Sequence, residues 1–206
     1  MNQLMGMLFD LWLAGQETTS NTLAWGVLYL MQEPEVQSRL QKELDTVIGS
    51  DRLITMDDRP KLNYTAAVVN EIQRIANLLA LNVRHATSRD VNIKGYHIPE
   101  GTTIIPHISV ILYDEKIFPN PKKFDPTRFL DKNGHLKKVE ELIPFSVGKR
   151  QCLGEGLARM ELFLFVANIF NQFKVNIISS KPPNMGRKAG ATVSPQPFVC
   201  SMTKRY

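Results

Sequence analysis

Residues 2–32 repeat apolar side chains at helical spacing without a proline, and the run stops at Glu33-Pro34, as helices do before proline. A continuous helix of this span is about 45 Å long at about 1.5 Å per residue. Its middle breaks local rules. The stretch "LAGQETTS", residues 13–20, places a glycine, a carboxylate and adjacent threonines inside the pattern. Glycine costs about 1 kcal/mol relative to alanine in a helix interior, and threonine is a mediocre helix former. A local rule broken inside an element points to a functional site.

Pro34 opens a second helix over residues 34–48, closed by Gly49. "TMDD", residues 55–58, reads as a cap or turn, and residues 62–78 form a third helix containing "NEIQR". The texture changes near residue 82. "VNIKGYHIPEGTTIIPHI", residues 91–108, has β-branched residues and a Pro-Glu-Gly turn, which suggests a short hairpin or small sheet. Residues 112–150 are rich in Pro, Asn, Lys and Asp and follow neither period, a long irregular stretch of the kind that is functional or disordered. Residues 153–172 form an amphipathic helix, with Leu157, Met160, Leu164 and Phe165 at apolar positions. The tail "ATVSPQPFVC", residues 191–200, reads as a second short hairpin. The fold class expected is mostly α with a small β-sheet part, in one domain over residues 1–206.

With 206 residues and 43% hydrophobic content the chain can bury a real core. The net charge of +5 favours an acidic partner or anionic surface only weakly. No Lys/Arg block is interleaved with aromatics, which argues against nucleic acid. Asp10 and Glu17 interrupt the opening apolar segment. It is therefore not a membrane span, and without a basic start or small-residue cleavage site it is not a signal peptide. The two cysteines, Cys152 and Cys200, make neither a disulfide framework nor a zinc site. Cys200, near the terminus, reads as incidental.

The most informative segment is "PFSVGKRQCLGEGLARME", residues 144–161. Cys152 lies just before a helix N-terminus, whose dipole and free amides favour negative charge on sulfur. Arg150 adds positive charge, Gly148 and Gly154 let backbone amides approach the sulfur, and Phe145 shields one side. Taken alone, a cysteine in a glycine-rich turn is more often a buried packing group. The spacing Phe-x-x-Gly-x-Arg-x-Cys-x-Gly overrides that prior.

Phe145, Gly148, Arg150, Cys152 and Gly154 match every fixed position of the haem-binding loop of the cytochrome P-450 family, and the chain resembles the C-terminal half of that fold. "NEIQR" supplies Glu71 and Arg74, similar to the family's Glu-x-x-Arg helix. "FDPTRF", residues 124–129, resembles the segment whose arginine, here Arg128, completes a Glu-Arg-Arg network. "AGQETT", residues 14–19, resembles the oxygen-activation motif of the long central helix. All four lie in the family order. "GKRQCLGEGLARMELFLF" is most similar to the animal microsomal drug- and lipid-oxidising members.

The resemblance implies a haem-thiolate monooxygenase that inserts one oxygen atom from O2 into a lipophilic molecule such as a xenobiotic, fatty acid or steroid. Cys152 is then the axial ligand of haem b iron. Ala14 and Gly15 let the flat cofactor approach the helix. The Thr18 hydroxyl bonds a preceding-turn carbonyl or leaves it unpaired, bending or loosening the helix, and Glu17 beside it is a proton reservoir reached through water. Solvent-facing Glu17 with core-filling threonines is the bland alternative. Arg150 pairs with a haem propionate, and His85 in "NVRHAT" matches a second propionate partner. Relatives usually have proline before that position, whereas Arg84 stands here, so Arg84 is an alternative partner. Glu71, Arg74 and Arg128 would hold the cysteine-loop region in place. Substrate contacts would come from Leu11 and Ala14, from Leu79–Val83 and from Val193–Pro195.

Electrons would come from NADPH through a separate reductase, because no nucleotide-binding fingerprint is present. Cytochrome b5 is a further candidate partner. Lys137, Lys138, Lys149 and Arg159 either dock an acidic redox partner or form a solvated face. Membrane association and placement on the cytoplasmic face of the endoplasmic reticulum are implied by relatives only. Family members are more than twice this length, so an incomplete domain is expected, lacking the N-terminal half and anchor. That leaves two rivals: a non-catalytic fragment with weak haem binding or an interaction role, and a haem sensor or carrier. A carrier would not need the Glu17–Thr18 pair.

Overall fold

A computed structural model describes residues 2–206. Helix α1, Asn2–Gln32, is continuous through Gly15 and the threonines. Helix α2, Pro34–Val47, starts on its proline. Thr55 begins a short 3-10 helix, Met56–Lys61, its amide donating to the Asp58 carboxylate at 3.0 Å. Helix α3, Asn63–Ala76, ends at Asn77, a left-handed cap with φ 44°. The sequence pattern therefore placed the helices to within two residues, and "TMDD" is the expected cap.

The strands are short and pair in twos. β1, His85–Ala86, pairs with β4, Thr103–Ile104; between them, β2, Val91–Ile93, pairs with β3, Tyr96–Ile98. The inner hairpin turns at Lys94-Gly95, both with positive φ (50° and 88°), a turn whose twist matches that of its strands. The Pro99-Glu100-Gly101 turn instead leads from β3 to β4, so the turn signal was real but belongs to the outer pair. Helix α4, Ile108–Leu112, is a brief addition. Residues 113–154 are irregular as expected, apart from 3-10 turns at Pro126–Phe129 and Gly148–Arg150.

Helix α5, Glu155–Gln172, leads into β5, Phe173–Ile177. The tail departs from the expected hairpin within residues 191–200. β6, Arg187–Lys188, pairs with β7, Ser194–Pro195, and β8, Cys200–Lys204, returns to β5. One cluster holds the fold: Trp25, Leu28 and Leu30 of α1, Leu40 and Leu44 of α2, Val68 and Ile72 of α3, and Phe163 and Phe170 of α5 all bury against one another with Phe129. Gly26 allows the α1–α3 approach, since a Cβ there would stand 3.0 Å from Ile72 Cδ1.

The same helix behaves differently at its other end. Leu4, Met5, Met7, Leu8, Phe9, Leu11, Trp12 and Leu13 are each more than half exposed, whereas the first buried residue of α1 is Thr22. No described helix is long and apolar enough to cross a membrane.

Candidate functional site

Thr18 Oγ1 donates to the Ala14 carbonyl at 2.7 Å, and Thr22 Oγ1 repeats the pattern onto Thr18 at 2.8 Å. This back-bonding is how a helix tolerates hydroxyls in its interior. Ala14, Gly15 and Glu17 lie on the exposed part of α1. A Cβ added at Gly15 would meet nothing, so packing within this chain does not require the glycine.

The cysteine loop folds by local hydrogen bonds. The Cys152 amide donates to the Phe145 carbonyl at 2.9 Å and the Gln151 amide to the Gly148 carbonyl at 3.1 Å. Gly148 has φ 82° and Ser146 φ 65°, left-handed conformations that turn the backbone sharply. Gly154 caps α5 without a side chain, leaving the first-turn amides of the helix open beside Cys152. The thiol itself is exposed, so the packing alternative for this cysteine is not what the structure shows. Phe145 is half-buried and carries the Arg159 guanidinium 5.0 Å from its ring centre.

A cleft joins these two elements. Thr18, Thr19 and Thr22 line one wall, Pro144, Phe145, Ala158 and Leu162 the other, with Gln73 and Leu78 at its end. Gln73 Oε1 is buried there without a partner among the described residues. Arg150 is exposed at the end of its 3-10 turn and makes no ion pair or side-chain hydrogen bond among the described residues; His85 is half-buried in β1, and Arg84 is exposed. Among the described residues no cluster of His, Cys, Asp and Glu could hold a metal alone.

Glu71, Arg74 and Arg128 do come together. Arg74 grips both Glu71 oxygens, at 2.6 and 2.7 Å, and both side chains are fully buried. Asp125 N–H donates to Glu71 Oε1 at 2.8 Å, and Arg128 Nε stands 3.5 Å from the same oxygen. Burial pushes the Glu71 carboxyl above the usual carboxylate range, against the opposing pull of Arg74. The arginines spend their other donors on carbonyls of Leu112, Pro119 and Asn120. These bonds pin residues 112–129 to α3. None reaches residues 144–154, so any hold on the cysteine loop runs through the intervening chain.

The basic residues near the loop are partly spent. Lys138 pairs with Glu140 at 2.7 Å and Arg159 with Glu155 at 2.8 Å. Sequence reasoning missed two further groups, Asn21 and Thr192, which both bond near Glu17. Asn21 lies one helical turn from Glu17, a legible spacing; Thr192, far along the chain, gave no local signal.

The fold, the five-position cysteine loop and the buried Glu-Arg pair define a class, and comparison with known proteins agrees: the family model described as "Cytochrome P450" matches residues 1–202, and the chain belongs to the cytochrome P450 family. Among curated relatives it is 51% identical to rabbit (Oryctolagus cuniculus) cytochrome P450 2C4 over 85% of its length, and 50% identical to human cytochrome P450 2C8 over the same share. It is 44% identical to human cytochrome P450 2D6 over 95% of its length. The matched region covers 36% of each of the first two relatives and 40% of the third, so the chain spans little more than a third of them.

Proposed function

We propose that this chain carries the thiolate side of a haem monooxygenase site, which inserts one atom of O2 into a lipophilic molecule. The observation that supports it most is the exposed Cys152 at an open helix N-terminus, in a loop that shares a cleft with Thr18 of α1. The surroundings fit a flat, apolar, anionic cofactor held by one protein ligand. One sulfur is the donor, an added Cβ at Gly15 would fill open space, and Arg150 has no partner of its own among the described residues. Cys152 would hold the iron, Ala14 and Gly15 would face the ring, and Arg150 with His85 or Arg84 would pair with its carboxylates. Phe145, Gly148 and Gly154 shape the loop. When bound, a thiolate-ligated haem supplies O2 activation, the sulfur donating electron density that favours O–O cleavage.

The overall reaction balances as substrate C–H plus O2, two electrons and two protons, giving C–OH and water. The chain's own part is the protons. The Ala14 carbonyl holds the Thr18 hydroxyl at the cleft, and the Glu17 carboxylate beside it exchanges protons with water. The exposed apolar side chains Leu11, Leu81 and Val83 suit a lipophilic substrate. Electrons would come from NADPH through a reductase, with cytochrome b5 as a second donor. Lys137, Lys138, Lys149 and Arg159 would steer such an acidic partner. Placement on the cytoplasmic face of the endoplasmic reticulum membrane is proposed from the relatives.

The test is isotopic. The haem-reconstituted chain, supplied with an NADPH-dependent reductase and ¹⁸O2, is given lauric acid and testosterone as probes. One ¹⁸O atom in a hydroxylated product is expected, and oxygen drawn from water would contradict the proposal. Thr18→Ala is expected to lower product formed per NADPH consumed by about tenfold or more while NADPH consumption continues. Unchanged coupling would remove Thr18 from the relay. One observation favours a second reading, a non-catalytic fragment with weak haem binding or an interaction role: the apolar face of residues 4–13 is of the kind that marks interaction surfaces.

A further inference from the structure

We propose that Thr192 is a positioning residue that fixes the Glu17 carboxylate and ties it to the segment Val193–Pro195, which runs into β7. The proposal rests on the monooxygenase reading above.

An exposed glutamate on a helix is free to sample many rotamers. Glu17 is not left free. The Thr192 hydroxyl, only 7% exposed as a residue, donates to Glu17 Oε1 at 2.7 Å. Asn21 Nδ2 donates to the Thr192 oxygen at 2.9 Å. An amide nitrogen only donates and a hydroxyl carries a single proton, so the Asn21 bond commits that proton to the carboxylate. Asn21 sits one turn after Glu17, so both ends of the relay stand on one face of α1.

The donor is itself held. The next residue, Val193, donates its amide to the Leu78 carbonyl at 2.8 Å and accepts Trp25 Nε1 at 2.8 Å. Arg187, on the partner strand of the β6–β7 hairpin, lies 4.9 Å from the Trp25 ring centre and donates to the Ile75 and Ala76 carbonyls. Thr192 thus reaches Glu17 from a segment docked on α1 and on the end of α3. Glu17 Oε1 is engaged, and Oε2 has no partner among the described residues, so Oε2 is the oxygen left to exchange a proton with water. The segment that follows Thr192, Val193–Pro195, is the one expected to touch substrate, so one stretch of chain both meets the substrate and aims the acid.

The experiment has one arm without cofactor and one with it. In the haem-free chain, hydrogen exchange of the Val193 amide is followed by NMR in Thr192→Val, Thr192→Ser, Glu17→Ala and the Thr192→Val/Glu17→Ala double variant. Exchange about tenfold faster is expected in Thr192→Val and in Glu17→Ala, with no further gain in the double variant and near-native exchange in Thr192→Ser. In the reconstituted chain, Thr192→Val is expected to lower product per NADPH at least threefold. Serine restores it, and the effect is absent in the Glu17→Ala background. Native exchange in Thr192→Val, or effects that simply add, would overturn the proposal. If no variant, including the native chain, forms product, the monooxygenase reading fails while the exchange arm still decides whether Thr192 holds Glu17.

Discussion

Two polar centres divide the labour of this molecule. Glu71 and Arg74 are wholly buried and satisfy each other, with a backbone amide and carbonyls taking up the rest. Cys152 and Arg150 are exposed, and their side chains have no hydrogen-bond partner among the described residues. The first arrangement is complete without a ligand and holds α3 to the segment 112–129. The second is a set of open groups at a helix end, which is how a chain presents a site for something else. Mutations should therefore separate the centres by what they cost: stability at the first, ligand chemistry at the second.

The largest effect on stability is expected from Arg74→Met, which strands a buried carboxylate and should cost about 3–5 kcal/mol in urea unfolding. The sign with pH follows from Glu71. Its folded-state carboxyl is raised by burial, so the folded state binds that proton more tightly than the unfolded chain does. Its contribution is then most favourable below the ordinary glutamate range, about pH 4, and declines as pH rises. Without Arg74 the shift grows, so the Arg74→Met penalty should shrink between about pH 7 and pH 5. A penalty that grows on acidification would contradict the desolvated-carboxyl account.

Arg128→Ala comes next. It leaves Glu71 paired but frees the Pro119 and Asn120 carbonyls, and should cost about 1–3 kcal/mol by the same assay. A smaller change is expected at Asp58, held below the usual carboxylate range first by Arg52 and then by the Thr55 amide. This stability is present above about pH 4 and lost as pH falls through the depressed value. Asp58→Asn should therefore cost under about 1 kcal/mol at pH 7, and progressively less as pH falls below about 4. The smallest is Cys152→Ala, expected to stay within about 0.5 kcal/mol of native. A large loss there would erase the contrast between the two centres.

Much of this was legible because the signals are local. A fixed spacing around Cys152, Pro34 at a helix start, and helical periodicity each act within a few residues. The buried pair was legible as Glu71 and Arg74 one turn apart on α3. What the sequence hid was non-local. The Pro-Glu-Gly turn looked like the tip of a hairpin, but Lys94-Gly95 has the backbone twist for that place. The tail looked like a hairpin of its own, yet β8 pairs with β5 across an intervening segment, a choice set by tertiary packing. Thr192 was invisible for the same reason, since nothing near it in the chain speaks of Glu17.

The carbon monoxide difference spectrum tests most directly whether Cys152 supplies the thiolate for a haem. The chain is reconstituted with haem, reduced with dithionite and compared with Cys152→Ala. A red-shifted Soret band that disappears in the variant is the predicted result. A band that persists in Cys152→Ala, or no such band in the native chain, would contradict the account.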